Sequence, residues 1–518
     1  MWGANAHALE PERVARITEA YGGAAALTRV AQVETDWVGY FMGRYQSRHT
    51  DPPYDRLPIR SWSALDLVAG RSVVDSISTY PGELNLGRRA INDGPHRWTL
   101  NTISRLYTEG TGAMFSHDGL VEASRNRMPW MVVREMIANP GEFEAAGTRA
   151  VRGNTYDLIR RGEITYLVHP ETSLIYAASW REGSMVDVES EVMRTYTDYF
   201  EHEGVIVNRR TQAWANGEVT TGHELHSIRF NQPLDQYVRV PDGFLQVASL
   251  DGYNGVTEIG VERIGDGVFL AGDGETRVLY VEFDDHFVAM EAGGMPDYTE
   301  RTYDAMRPHM GSKPLRYIIP THHHDDHAVA VHFYTRIGAT ILTTRDKEGF
   351  MRRLLARSWG DSPPVTNARL RFIDGSRLVF EDRRNRLEVH VYEDAPHTEN
   401  MLVGYLGRDE TLYSCDVFIG WTGDVRQGAS HGGRHLSRWI AARREAGMLG
   451  PVRNYATCHG RPYSAAEFDR MLATERTIVT LPTNAAWPTA TWFERYGLSD
   501  DTARSSPRLR AQPQRDAR

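Results

Sequence analysis

Seven residues near the middle of the chain, Thr321 to His327, read Thr-His-His-His-Asp-Asp-His. They contain the pattern H-x-H-x-D-H, formed by His322, His324, Asp326 and His327. The apolar run Tyr317-Ile318-Ile319-Pro320 before it has the length of a buried strand, and the apolar positions from Ala328 to Ile337 after it read as a helix. The cluster is therefore expected on a tight loop between a strand and a helix. Imidazoles and carboxylates crowded so closely repel or lose solvation unless a cation sits among them. Nitrogen and oxygen donors of this kind suit a borderline divalent metal such as zinc.

The rest of the chain bounds what such a site can serve. With 518 residues, 41% hydrophobic and 25% charged, the chain can bury more than one core of ordinary size. A net charge of −9 offers no basic field to steer nucleic acid or an anionic membrane, so neither is expected as a partner. No apolar run reaches transmembrane length. Met1 to Asn5 lack the basic segment and apolar core of a signal peptide. The compartment stays open between the cytoplasm and, if a signal has been removed, the periplasm. Cys415 and Cys458 are the two cysteines, both in apolar strand-like segments, and no disulfide framework is expected from them.

The first half reads as an α+β domain, residues 1–243. A helix is expected from Glu10, with Pro11 in its first turn, followed by a second short helix from Ala24. Val33 to Arg44 and Leu67 to Tyr80 read as strands around a Pro-rich loop, His49 to Pro58, and Pro129 to Ile137 as a helix. From Thr155 to Phe230, short alternating segments predict an antiparallel meander. A helical start followed by such a meander resembles the curved half-barrel of lipoprotein-carrier domains. From Pro241-Asp242-Gly243 onward, strands and helices alternate, which predicts an α/β layered domain over 244–502. The tail, 503–518, is poor in apolar residues and is expected to be disordered.

The motif is followed by a lone His, an Asp after an apolar strand, and a last His. That order resembles the metallo-β-lactamase fold hydrolases over roughly Gly243 to Leu481. The resemblance implies an αββα sandwich with the ligands on loops along one edge. Carried over, the third His of one metal is His397, although Pro396 stands where the family often has Gly. The bridging carboxylate is Asp416 and the final His is His459. One metal would take His322, His324 and His397, the other Asp326, His327 and His459, with Asp416 and a bridging hydroxide between. The resemblance also places Glu291 behind the ligands as an acceptor orienting a His. His323 and Asp325 are expected to point away, and His332 and His390 to be ordinary helix or strand residues.

A dinuclear hydrolase follows as the expected activity. Two divalent metal ions are implied, Zn²⁺ first, with Fe or Mn also compatible. Asp326 and Asp416 would hold or relay the proton. In the resemblance, Asp416 disfavours a true β-lactamase, and the favoured substrate is an ester, lactone or amide of a small organic molecule. The alternatives are a phosphodiesterase and a diiron O₂-activating oxygenase of the same superfamily. The oxygenases replace the lone His by a carboxylate, so His397 speaks against them, while Glu393 and Glu399 nearby keep them in view. Tyr463 is a candidate oxyanion donor, and Ile419 to His435 a candidate overhang of the site. No G-x-S-x-G elbow, P-loop or dinucleotide fingerprint occurs. The size of the N-terminal half suggests that it covers the cleft or pairs two chains as a homodimer.

Overall fold

The computed structural model describes residues 7–82, 84–110, 115–183, 190–248, 250, 259–273, 276–293, 296–358, 362–419 and 428–475. The expected tail lies outside them, as does the centre of the expected overhang.

The N-terminal half is built on one fifteen-stranded sheet. The predicted meander is present, running from Glu144–Val151 to Glu218–Phe230. Its last strand pairs antiparallel with Gln32–Met42, which opens a second meander through Arg56–Asp66, Arg71–Tyr80, Leu84–Asp93, His96–Asn101 and Leu106–Glu109. A twisted sheet of more than about ten strands curls. Leu245–Gln246 extends this sheet by pairing parallel to Leu106–Glu109. The chain from 67 to 70, expected in a strand, is a turn: the Asp66 carboxylate accepts the Val68 and Ala69 N–H groups, and Gly70 has φ +69°. Helices Pro11–Ala20, Ala24–Arg29, His117–Arg125 and Pro129–Ala138 supply Ile17, Leu27, Leu120 and Trp130 to a core with Trp37, Tyr196 and Leu225 from the sheet.

The C-terminal half is the αββα sandwich. Its first sheet has seven strands from Gly260–Gly265 to Leu370–Phe372. The second has six, from Arg377–Glu381 to Tyr463–Ser464. Period-two alternation sorts the first sheet's side chains. Val268, Leu270, Leu279 and Val281 enter the core between the sheets, against Leu387, Val389 and Val403. Phe269, Ala271, Val278 and Tyr280 face Met306, Val331 and Met351 of the outer helices. On the far side of the second sheet, Trp439 of helix His431–Glu445 stacks on Tyr392 at 4.8 Å. Both sheets carry parallel neighbours, Phe287–Met290 beside Leu315–Ile319 and Thr411–Tyr413 beside Asn454–Ala456. The loops leaving these four strands converge at one end.

No helix among the described residues is long and apolar enough to cross a membrane.

Candidate metal centre

All seven candidate ligands come together at that end. Strand Leu315–Ile319 delivers His322 and His324, and the short helix Asp325–Ala328 delivers Asp326 and His327. His397 follows strand Arg386–Tyr392, Asp416 follows Thr411–Tyr413, and His459 follows Asn454–Ala456. Asp416 is the centre. Its Oδ2 lies 3.9 Å from His322 Nε2, 3.4 Å from His397 Nε2 and 3.2 Å from His327 Nε2. Its Oδ1 lies 3.3 Å from His459 Nε2. His324 Nδ1 stands 3.0 Å from His397 Nε2, and Asp326 Oδ2 stands 3.2 Å from His327 Nε2. Two donor groups thus share one carboxylate. His322, His324 and His397 form one set of close ligand atoms with it, and His327 and His459 the other, which Asp326 adjoins. Buried His322 Nε2 has no hydrogen-bond partner among the described residues. It points inward with the others, as a ligand atom does.

The nitrogen of each ring facing away from this centre is occupied at four of the histidines. His322 Nδ1 lies 3.0 Å from Thr321 Oγ1, and His327 Nδ1 lies 3.0 Å from Glu291 Oε2. His324 Nε2 lies 2.9 Å from Ser47 O, and His397 Nδ1 lies 2.9 Å from Pro81 O. Such partners fix tautomer and ring orientation. Glu291 therefore stands where the sequence placed it, and it also accepts from Thr321 Oγ1 at 2.8 Å. Its φ of +84° is costly for a residue with a side chain, by roughly 1–2 kcal/mol. That cost falls at the strand end that aims its carboxylate at His327.

Two of those four acceptors come from the N-terminal half, which sequence reasoning missed. The segment after strand Gln32–Met42 also brings Gln46, whose Nε2 donates to Asp325 Oδ1 at 2.7 Å and to Asp326 Oδ1 at 2.9 Å. Tyr80 is pushed up to about 12 by burial and by the nearby carboxylates of Asp326 and Asp325. Next to Pro81, Gly82 has φ +81°, and a Cβ there would press on the His397 backbone at 3.4 Å. Nothing in one sequence links residues 46, 47 and 81 to a motif more than two hundred positions away.

The electrostatics call for positive charge. Burial lowers the His322 and His324 pKa values well below the ordinary range, reinforced by their neighbouring imidazoles. Burial also opposes charge on His327, but Asp326, Asp416 and Glu291 outweigh it and raise its pKa well above normal. Burial would raise Asp416, yet His327 and His459 hold it well below the usual carboxylate range. The carboxylates gathered around His327 make a site where a divalent cation would be favoured.

The two cysteines correct an expectation. Cys415 and Cys458 form a disulfide, their Cα atoms 5.2 Å apart. The physical reason is the fold: parallel strands Thr411–Tyr413 and Asn454–Ala456 place the residues after them side by side. Each cysteine immediately precedes a candidate ligand, Asp416 or His459. Cys415 Sγ lies 3.1 Å from Glu291 Oε2, and Cys458 Sγ lies 3.5 Å from Asp416 Oδ1.

Other candidates lie elsewhere. His323 turns away and meets Phe350 edge-on at 5.6 Å, and Asp325 turns to Gln46. His332 Nε2 bonds Arg357 O at 2.8 Å, and His390 Nε2 lies 3.3 Å from Glu388. Glu393 pairs with Arg443 at 3.0 Å and Glu399 lies 3.7 Å from His49, so neither is directed at the ligand atoms. Tyr463 stacks on Tyr455 at 5.0 Å within the core.

Two outcomes follow. Gln46→Leu removes the donor that holds Asp326 without touching a candidate ligand; metal affinity measured by competition with a chelator should fall by about 10- to 100-fold while the thermal midpoint barely moves. An unchanged affinity would remove Gln46 from the site's support. Cys415→Ser with Cys458→Ser opens a link spanning 43 residues, worth about 4 kcal/mol in the chain-entropy account. Denaturant unfolding should show a loss of that order, and a loss below about 1 kcal/mol would mean the link constrains little.

No protein-family model matches the chain, and no curated protein matches it. Solved structures do. A metallo-β-lactamase from Pontibacter korlensis is similar over 42% of this chain and 98% of its own, at 16% identity and a TM-score of 0.32. A flavoprotein from Thermotoga maritima is similar over 42% of this chain and 61% of its own, at 16% identity and a TM-score of 0.30. A stereoselective inverting sec-alkylsulfatase from Pseudomonas sp. is similar over 42% of this chain and 40% of its own, at 13% identity and a TM-score of 0.30. At these scores they are likenesses only.

Proposed function

We propose that the chain is a dinuclear metal-dependent hydrolase of the metallo-β-lactamase fold, acting on an ester, lactone or amide of a small organic molecule. The observation that carries it is the pair of donor groups sharing Asp416, with the outward nitrogens of four imidazoles already held. Imidazole and carboxylate donors suit Zn²⁺, with Mn or Fe compatible. When bound, two such cations would polarise a substrate oxygen and lower the pKa of a shared water.

The chain's own residues do the rest. His322, His324 and His397 would hold one ion, Asp326, His327 and His459 the other, and Asp416 both. The Asp326 side chain is 40% exposed, against 6% for Asp416, so Asp326 is the carboxylate that can take a proton in reach of substrate. Gln46 restrains it, and Glu291 keeps His327 oriented. The oxygenase alternative loses support, because Glu393 and Glu399 are engaged away from the cluster.

Elemental analysis of protein purified without added metal should find about two transition-metal ions per chain. Asp326→Asn should keep the ion on the three imidazoles and slow hydrolysis of an ester or lactone by about 10²- to 10⁴-fold. Wild-type turnover should be unchanged under strict anaerobiosis. A requirement for O₂ sinks the hydrolase reading, and saturation at one ion sinks the bridging role of Asp416.

A further inference from the structure

A cavity of about 390 Å³ opens beside the ligand cluster, in the N-terminal sheet. Its size lies within the roughly 300–1,000 Å³ of small-molecule pockets. Gln46 and Asp325 line it, and these two also hold or flank Asp326, so the cavity adjoins the cluster, although none of the seven candidate ligands is among its lining residues. Strand register orders what lies inward from there. Trp180, Val192 and Ala215 are successive cross-strand partners and share one face. Two residues along, Arg194, Ala213, Thr221 and Phe41 are partners in the same way and form the next rung. All seven line the cavity. The two alanines leave the room, and Phe41, Trp180 and Val192 make an apolar stretch of wall, while Arg44, Glu182, Ser190 and Asp325 make polar stretches.

The inner rung carries a positive charge that feels Glu182 of the same lining through space but is in contact with no carboxylate among the described residues. Among the described residues, the Arg194 side chain has one hydrogen-bond acceptor, the Asn126 carbonyl at 3.0 Å, and no carboxylate at ion-pair distance. Its guanidinium lies 5.2 Å from the Trp180 ring centroid. Burial, and then nearby Arg194, lowers the pKa of Arg127, and the His223 pKa is likewise lowered by burial first and then by these two arginines. A half-buried cation with no carboxylate in contact gains from an anion that joins it.

We propose that this cavity binds the part of the substrate remote from the cleaved bond, an apolar chain or ring ending in a carboxylate that meets Arg194. The inference rests on the metal cluster being the reacting centre. The apolar body removes its surface from water against Phe41, Trp180 and Val192. Arg194 exchanges a lone carbonyl contact for a charge-assisted one.

The test is a binding measurement, so it stands apart from turnover. Decanoate and its neutral counterpart decanol are titrated into the full-length protein as purified, by calorimetry and by tryptophan fluorescence. Decanoate should bind, and decanol at least about tenfold more weakly, the difference a hydrogen bond to a charged group makes. Arg194→Met should abolish that preference, Arg194→Lys should keep part of it, and Ala213→Phe should exclude both probes. A folded Thr220→Trp variant, at the cavity's lining, serves if Ala213→Phe does not fold. Asp326→Asn should leave decanoate binding as it is. Equal binding of the two probes, indifference to Arg194, no binding at all, or loss of decanoate only in Asp326→Asn (a carboxylate on the metals instead) overturns the proposal. Failure of hydrolysis alone leaves these binding results standing.

Discussion

The structure depends on one buried carboxylate. Asp416 has four imidazole nitrogens within 3.2–3.9 Å, contributed by three separate stretches of chain. Groups this polar do not gather in a protein interior of their own accord, since each loses water on the way in. They are held because the other side of the rings is already satisfied by Thr321, Glu291, Ser47 and Pro81. The αββα core supplies the rigidity. Strands buried on both faces end at the same level, and the loops leaving them need little freedom to meet. The unfavourable φ of Glu291 is tolerated for the same reason: the surrounding strands determine where its carboxylate must point.

The two halves of the chain share this site rather than merely adjoin it. Backbone oxygens of Ser47 and Pro81 are carbonyls of turns that follow long sheet strands, so their positions are set by the N-terminal sheet. Further contacts pin the same segment: Arg48 O accepts from Glu399 N at 3.1 Å, Tyr45 O accepts from Asp325 N at 3.2 Å, and Asp51 pairs with Arg353 at 2.8 Å. Cutting the chain at its topological boundary would leave His324 and His397 with a buried, unaccepted N–H each. That cost, on the order of 1–3 kcal/mol per group, would fall on the ligand geometry itself.

How much of this the sequence disclosed follows from how local each signal is. H-x-H-x-D-H is legible because four candidate ligands fall within six residues, and a strand and a helix frame them. His397, Asp416 and His459 are legible in order, each at the end of an apolar run, because a strand must be apolar to be buried and must stop to present a side chain. Strands Leu84–Asp93 and His96–Asn101 escaped notice: Arg88, Arg89 and Asn92 interrupt the alternation that marks a strand. Arg89 is buried against Asp75 at 2.8 Å, a compensation visible only once the two strands are paired. The disulfide was read the wrong way for a related reason. Apolar flanks said buried, and only the parallel pairing of two short strands brings the sulfurs together. Gln46, Ser47 and Pro81 carry no local signature at all, since two of them act through backbone oxygen, which every residue has.

The disulfide also bears on what the site can hold. Joined to each other, Cys415 and Cys458 offer no thiolate, although both sulfurs lie within reach of ligand atoms. The remaining donors are imidazole and carboxylate, which discriminate poorly among Zn²⁺, Mn²⁺ and Fe²⁺ by softness. Selection then falls to geometry, and here the crosslink acts a second time. By tying the residues just before Asp416 and His459, it restrains the Asp416 carboxylate relative to the His459 imidazole. The same bond that removes sulfur from the donor set thereby stiffens the half of the site made from two imidazoles and a partly exposed Asp326, adding to the restraint from the short helix Asp325–Ala328, Gln46 and Glu291.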